Sequence, residues 1–162
     1  MKDIHFLNAS KEEAEEIYSL YKSKFGTPGC TWSEYYPNMD NIKTDLERGN
    51  LFVLKMQEEI IGSVAIDVDE QVDALECWDK KLVPNGELAR LVVKDGYENR
   101  GLARQLLIYG MEELKKRGMR AVHFLVSETN MKALNSYNKL NFNNKGQCHL
   151  YDEHWLCYEK EL

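Results

Sequence analysis

The chain has 162 residues, of which 43% are hydrophobic and 30% are charged, and its formal net charge at pH 7 is −6. This length and composition predict a single soluble globular domain over residues 1–162, and no apolar stretch is long enough to span a membrane. The acidic balance argues against nucleic acid as a partner, because phosphate binding needs a concentrated basic face, and it slightly favours cationic substrates.

The first part of the chain predicts a short strand and two helices before a β-hairpin. Ser10 and Glu13 form a capping box, and the apolar residues after them recur at helical spacing. Residues 51–56 and 60–68 are apolar and β-branched and are separated by a short polar stretch, which is typical of an antiparallel hairpin. The expected elements are a strand over residues 3–7, a helix after Ser10, a short helix over residues 40–48 and the two hairpin strands.

An acidic and irregular segment, residues 67–85, precedes the central strand. We expect it to form a loop with one helical turn near residues 74–78. A run of charges in this segment is typical of a solvated loop. Its members are Asp67, Asp69, Glu70 and Asp73.

The second half of the chain centres on residues 87–107, which read ELARLVVKDGYENRGLARQLL. An apolar strand, residues 88–93, enters a polar turn and then a periodic helix that begins after Gly101 and that Gly118 ends. The first N–H groups of such a helix have no partner within it and favour an anion. The remaining elements are a strand over residues 121–126, parallel to the central one, a helix capped by Asn130 that ends near Leu140, and a hairpin over residues 147–151 and 155–161.

Cysteine and histidine usage indicates neither a disulfide scaffold nor a metal site. The four cysteines lack C-x-x-C spacing and are too few for a disulfide framework, so we expect reduced thiols. The four histidines are scattered without metal-site spacing, and no metal is predicted. The N-terminal residues MKDIHFLNASKEE contain no apolar signal-peptide core, so the expected location is cytoplasmic.

Two motifs in the second half resemble those of the GNAT acyltransferase superfamily. Residues 98–103 resemble its acetyl-CoA signature, Arg/Gln-x-x-Gly-x-Gly/Ala, and a second motif follows downstream. The residues of that second motif are Asn130, Ala133, Tyr137, Lys139, Asn141 and Phe142. The resemblance covers most of the chain, more weakly before Leu51, and implies the α/β GNAT fold, a mixed central sheet of about seven strands with helices on both faces. A G-x-G-x-x-G turn after the first strand, which a dinucleotide-binding fold would show, is absent.

The resemblance implies that acetyl-CoA is the cofactor. In the family, the central strand carries a bulge and separates from its parallel neighbour, and the pantetheine arm bonds to the exposed strand backbone. The diphosphate would lie on the amides that open the next helix, with Arg100 and Arg104 adding charge. Glu98 departs from the family's Gln or Arg and places a carboxylate nearby. The implied cofactor-binding residues are Leu91, Val92, Val93, Asn99, Arg100, Gly101, Leu102, Ala103, Arg104 and Asn130.

Two residues are implied to be catalytic, and each also has a purely structural interpretation. Tyr137 matches the family tyrosine near the cofactor sulfur, where it donates to the departing thiolate, but a tyrosine on a helix face also packs as a core residue. Glu87 begins the central strand where many GNAT proteins carry a catalytic glutamate that accepts the amine's proton. The alternative for Glu87 is a solvated carboxylate at a strand end.

The acceptor is expected to be an amine. Four neighbouring residues form either an aromatic and acidic wall for an ammonium group or a buried aromatic cluster. They are Trp32, Glu34, Tyr35 and Tyr36. The predicted function is an N-acetyltransferase that moves acetyl from acetyl-CoA to a primary amine of a small molecule or protein by direct attack in a ternary complex. The alternative is a non-catalytic acyl-CoA-binding sensor or regulatory module, and a homodimer would form if the C-terminal hairpin paired with a second copy.

Overall fold

The computed structural model describes residues 3–162, and Met1 and Lys2, which the predicted domain includes, lie outside the described residues. Within these described residues, seven strands form one mixed sheet in the order β1-β2-β3-β4-β5-β7-β6. This confirms the predicted fold class. The strands are β1 Ile4–Asn8, β2 Leu51–Met56, β3 Glu59–Asp67, β4 Asn85–Val93, β5 Ala121–Val126, β6 Asn143–Leu150 and β7 Glu153–Glu161.

Helices pack on both faces of this sheet. A 3-10 turn at Lys11–Glu13 precedes the first helix, and Ser10 and Glu13 form the predicted capping box there. Within residues 3–162, no helix is long and apolar enough to cross a membrane. The α-helices are α1 Ala14–Lys22, α2 Met39–Glu47, α3 Glu70–Asp73, α4 Leu102–Lys116 and α5 Met131–Lys139.

Strand alternation separates the apolar side chains into two main cores. On one face of the sheet, α4 buries its apolar stripe against residues such as Leu88 of β4 and Phe124 of β5. On the other face, Val92 packs with Ile17 of α1 and Ile42 of α2. Strand β4 therefore contributes to both cores and lies between the two helical layers.

A bulge interrupts β4 where it pairs with β3. Ser63 pairs with Val92 whereas Ala65 pairs with Ala89, so β4 contains one more residue than β3 over this interval. The extra residue lies at Arg90, whose φ is 52°. A bulge bends its strand and leaves part of the ladder unpaired. The bulged central strand that the family resemblance implied is therefore present.

On its other side, β4 separates from β5 after a short parallel pairing. Asn85–Glu87 pair with Ala121–His123, and within the described residues the two strands share no further ladder partners. From Leu88 to Val93, the β5-facing edge of β4 is therefore left without a strand partner. This opens a gap between two neighbouring strands of the sheet.

Strands β4 and β7 begin three and two residues before their predicted starts, and two other elements differ more from the sequence prediction. The helical turn after β3 lies at Glu70–Asp73 and not near residues 74–78, because the Asp69 side chain caps it by accepting from the N–H groups of Gln71 and Val72. Strand β6 begins at Asn143, four residues before the predicted start, and its register shifts between Asn144 and Gly146. Its polar, largely exposed sequence carries no hydrophobic alternation. As β6 is an edge strand, its pairing with a second copy stays a prediction.

Candidate functional site

The turn between β4 and α4 presents free backbone donors. Gly101 is the N-cap of α4 with φ at 78°, and no side chain caps the helix. The first hydrogen bond of the helix runs from Gln105 N to Gly101 O at 3.1 Å, so the N–H groups of residues 102–104 have no partner within the helix. A Cβ built on Gly101 would lie 3.4 Å from Nη2 of Arg104, which places that guanidinium beside these amides. The arrangement favours a bound anion.

Glu98, the residue that departs from the family motif, lies between two lysines. Its carboxylate oxygens are 3.5 Å from Nζ of Lys24 and 2.9 Å from Nζ of Lys132. These contacts connect the turn to the residues after α1 and to the first turn of α5. The carboxylate is therefore paired with two cations at the edge of the anion-binding turn, and Lys24 also pairs with Asp95 at 2.7 Å.

Tyr137 projects from α5 against β5, on the opposite side of the gap from β4. Its ring centroid lies 4.2 Å from that of Phe124, and its side chain is partly buried. Burial raises the pKa of its hydroxyl above the usual value. Asn130 caps α5 through its side-chain oxygen, 3.2 Å from Ala133 N, and Asn141 follows the helix with φ at 61°, as predicted for both.

Glu87, at the start of β4, is buried on the face that α1 and α2 cover. Glu87 is only 6% exposed, and its Oε1 has no hydrogen-bond partner among residues 3–162. Burial, together with the charges of Asp67, Asp69 and Asp73, raises its pKa well above the usual value, whereas Arg90 acts in the opposite direction. Glu87 is therefore not the solvated strand-end carboxylate that the sequence left open.

Arg90, in the bulge, joins three elements through its guanidinium and was not predicted from the sequence. It donates to both carboxylate oxygens of Asp45 on α2, at 3.1 and 2.9 Å. It also donates to Asp67 at the end of β3, at 3.2 Å, and to the hydroxyl oxygen of Tyr36, at 2.9 Å. All three guanidinium nitrogens thus have acceptors.

The predicted solvated charge run is corrected at two of its four residues: Glu70 and Asp73 are exposed as predicted, whereas Asp67 and Asp69 are half-buried beside Glu87. Asp67 pairs with Glu87 across β3 and β4, so the end of one strand meets the start of the other. One carboxylate oxygen each from Asp67, Asp69 and Glu87 lies within 4.8 Å of the others, and we call these three residues the carboxylate cluster. Asp69 also accepts from the Tyr151 hydroxyl at 2.5 Å.

His123 and Asp73 border Glu87 on its other side. His123 is fully buried on β5 and stacks on Trp78, with the ring centroids 4.5 Å apart. Its Nε2 lies 2.8 Å from Asp73 Oδ1, and its Nδ1 has no hydrogen-bond partner in the described part of the chain. The sequence showed scattered histidines, and the parallel pairing of β4 with β5 is what brings this one opposite Glu87.

The four residues of the predicted acceptor wall have different surroundings in the structure. Tyr36 reaches the site through its hydrogen bond to Arg90. Trp32 packs edge-on against Tyr21 in the core under α1, 5.3 Å between centroids. Glu34 is exposed and Tyr35 is 79% exposed. The structure thus places Trp32 in an aromatic cluster and Tyr36 at the site.

The bulged strand, the gap beside it and the uncapped helix N-terminus together define an acetyltransferase fold. Residues 14–142, most of the chain, match the family model described as the acetyltransferase (GNAT) family. The chain therefore belongs to the GNAT family, whose cofactor is acetyl-CoA.

Solved structures of acetyltransferases share this fold at low sequence identity. The chain is similar to an N-acetyltransferase from Staphylococcus aureus Mu50, with a TM-score of 0.77, 18% identity and 98% of each chain covered. It is similar to a ribosomal-protein-alanine N-acetyltransferase from Brucella melitensis, with a TM-score of 0.77, 14% identity and coverage of 98% of this chain and 99% of that one. An acetyltransferase from Salmonella typhimurium, solved with its cofactor acetyl-CoA, gives a TM-score of 0.76, 15% identity and coverage of 99% and 94%. No curated protein sequence matches the chain significantly.

The residues of this chain fit the family's cofactor. The unpaired edge of β4 offers backbone groups to a pantetheine amide, and the amides opening α4 offer donors to a diphosphate. The β4 edge and the start of α4 follow one another along the chain, and the turn between them contains Glu98, which pairs with Lys24 and Lys132.

Proposed function

We propose that this protein is an N-acetyltransferase that transfers acetyl from acetyl-CoA to a primary amine, on a small molecule or a protein, by direct attack in a ternary complex. The observation that carries the proposal is Glu87, a buried carboxylate with an unpaired oxygen on the strand that forms the cofactor gap. A module that only binds acyl-CoA has no need of a proton acceptor at that position.

The proposed cofactor contacts follow from the gap and the turn. Acetyl-CoA, when bound, supplies the thioester whose acetyl group is transferred. Backbone groups of Leu91, Val92 and Val93 would hold the pantetheine arm, and the turn over residues 99–104 would hold the diphosphate. Asn130 would add a contact while it caps α5.

Glu87 is proposed to accept the proton of the acceptor ammonium. An alkylamine with a pKa of about 10.4 is almost fully protonated at pH 7, and removing its proton costs about 4.6 kcal/mol. The raised pKa of Glu87 makes its ionised form a stronger base than an ordinary carboxylate, which reduces the mismatch in this transfer. The charges of the carboxylate cluster contribute to this shift.

Tyr137 is proposed to assist at the sulfur. Its hydroxyl pKa is raised by burial, so the hydroxyl keeps its proton and donates a hydrogen bond to the developing thiolate rather than releasing the proton completely. Its position on α5, across the gap from β4, matches that role.

Two of the four cysteines favour direct attack over a covalent acyl-enzyme. All four are free, and burial raises the pKa of both Cys77 and Cys157. A raised thiol pKa reduces the fraction of thiolate, which is the nucleophilic form. Neither thiol is therefore suited to form a covalent acyl-enzyme.

The test is release of CoA thiol from acetyl-CoA against a panel of primary amines. We expect turnover with at least one amine, a loss of roughly 10²–10⁴-fold in kcat for Glu87→Gln and a smaller loss for Tyr137→Phe. Glu70→Gln and Tyr109→Phe make the same chemical changes outside the site and serve as controls. Acetyl-CoA binding with no thiol release for any amine would instead favour the sensor alternative.

A further inference from the structure

Other carboxylates surround Glu87 where the acceptor amine would approach, and we propose that these carboxylates determine which amines can bind. We infer that the carboxylate cluster of Asp67, Asp69 and Glu87 binds a primary alkylammonium ion whose carbon bears no carboxylate or other acidic group. This inference rests on the proposed function, because it names the substrate class of the same site.

The hydrogen-bond capacity of the cluster matches an ammonium group. Glu87 Oε1 is buried and has no partner, although a carboxylate removed from water is costly unless it is paired. Among residues 3–162, the side-chain hydrogen bonds given to Asp67 come from Val68 N and Arg90 and both end on Oδ1. An ammonium has three donors, and acceptors at tetrahedral angles about 2.9 Å from nitrogen are about 4.7 Å apart. The three carboxylate oxygens lie within 4.8 Å of one another, so one ammonium can reach all of them.

The charge balance at the cluster also favours a cation. Arg90 contacts the cluster through Asp67, but it also pairs with both oxygens of Asp45. One guanidinium is therefore shared between a buried carboxylate on α2 and the cluster, which leaves the cluster with excess negative charge. The groups that face Glu87 from the surrounding elements are Asp67 on β3, Asp69 and Asp73 around α3, Arg90 on β4, His123 on β5 and the hydroxyls of Tyr36 and Tyr151.

The same arrangement opposes an acceptor with an acidic group beside its amine. A carboxylate on the adjacent carbon would lie close to the cluster, where like charges repel in a partly buried site. Arg90 is poorly placed to receive it, because four of its five N–H groups already donate to Asp45, Asp67 and Tyr36 and its side chain is only 3% exposed. At the edge of the site, Tyr36 and Tyr151 are 44% and 54% exposed and offer aromatic surface to an apolar amine.

The experiment compares amines that differ only by a carboxylate. Tyramine is matched with tyrosine and 3-methylbutylamine with leucine, and thiol release from acetyl-CoA is measured for each. In parallel, thermal stabilisation by each compound is measured on the enzyme saturated with CoA, where no transfer occurs. Asp67→Asn and Asp69→Asn retain an acceptor oxygen for Arg90 and for the α3 cap, and Glu70→Gln is the matched control on the exposed side of α3.

We expect a preference of at least about 100-fold in kcat/KM for the amine over its amino acid, because burial amplifies repulsion between like charges. Both Asn variants should raise the amine KM about tenfold or more and leave the acetyl-CoA Kd unchanged, whereas Glu70→Gln should behave as wild type. On the CoA complex, tyramine should raise the Tm of wild type and not that of Asp67→Asn.

Each remaining result overturns either this inference or the proposed function. Equal use of tyrosine and tyramine, or equal KM effects from Glu70→Gln, would refute the ammonium site while acetyl transfer stands. A third outcome is that tyramine stabilises the CoA complex of wild type and not that of Asp67→Asn, but no thiol is released. This outcome would support the ammonium site and refute the proposed transferase activity. Stabilisation by Mg²⁺ or Ca²⁺ but by neither amine would replace the ammonium site with a metal site, and stabilisation by none of these would refute it.

Discussion

Glu98 is the residue of the cofactor turn whose charge opposes a diphosphate. Lys132 would be free to turn toward the phosphates if the carboxylate became an amide, whereas Lys24 would keep its 2.7 Å ion pair with Asp95. We expect Glu98→Gln to lower the acetyl-CoA Kd by about 3–10-fold, since it removes one partly exposed like charge. Titration calorimetry at low and high salt measures this, and the gain should shrink with salt. Glu112→Gln, an exposed position on α4, is the control, and an unchanged or higher Kd for Glu98→Gln would contradict the prediction.

The buried carboxylate of Glu87 should make the fold less stable as pH rises. Its pKa is raised in the folded state, so over the range from about 4.3 up to that folded pKa the folded chain binds more protons than the unfolded chain. The free energy of unfolding therefore falls as pH increases through this range. Glu87→Gln removes this contribution, and the variant should match wild type near pH 4 and exceed it near pH 8. Urea unfolding at both pH values tests this, and a constant difference between the two proteins would refute it.

At the scale of elements, α5 depends on a left-handed residue after its last turn. Asn141 has φ of 61° there, a conformation that asparagine and glycine adopt at little cost. Asn141→Ala should lower the free energy of unfolding by about 1 kcal/mol, whereas Asn141→Gly should be close to neutral. Asn138→Ala, at an exposed helical position, should not destabilise α5. Denaturant melts of the three variants measure this, and equal losses for Ala and Gly at position 141 would contradict it.

The elements that the sequence predicted best are those with local signals. The helix after Gly101 and the caps at Ser10 and Asn130 follow from residues near one another in the chain. The Arg90 network could not be predicted in this way. Strict alternation along β4 would place Arg90 on the face opposite Glu87, and the bulge instead turns its side chain toward Asp45 on α2, 45 residues away.

At the scale of the whole molecule, the sequence was enough to imply the fold but not the carboxylate cluster. Two ordered motifs were enough to imply the mixed sheet, because together they resemble those of the GNAT family and that resemblance carries the family's fold. The carboxylate cluster depends on β3 ending opposite the start of β4, a pairing that joins Asp67 to Glu87 across an irregular segment. Its charges looked like a solvated loop because their burial is set by the sheet and not by their neighbours in sequence.

The sheet consists of two parts that meet at the gap where we place the cofactor. Strands β4 and β5 pair only through Asn85–Glu87 and Ala121–His123 within the described chain, so a ligand in the gap would bridge β1–β4 and the β5-β7-β6 part. Acetyl-CoA at 100 times its Kd should add about 2.7 kcal/mol to the free energy of unfolding, which corresponds to a Tm rise of roughly 5–10 °C at this size.

Amide hydrogen exchange can show which segments acetyl-CoA stabilises. We expect acetyl-CoA to slow exchange at early times for the amides of residues 91–93 and 102–104, because the first group would bond to pantetheine and the second to the diphosphate. The edge strand β1, at the far side of the sheet, is the internal control and should change little at those times. Protection of residues 102–104 without protection of residues 91–93 would show that the diphosphate binds the turn while the pantetheine arm lies outside the gap, and the roles proposed for Glu87 and Tyr137 would then fail together.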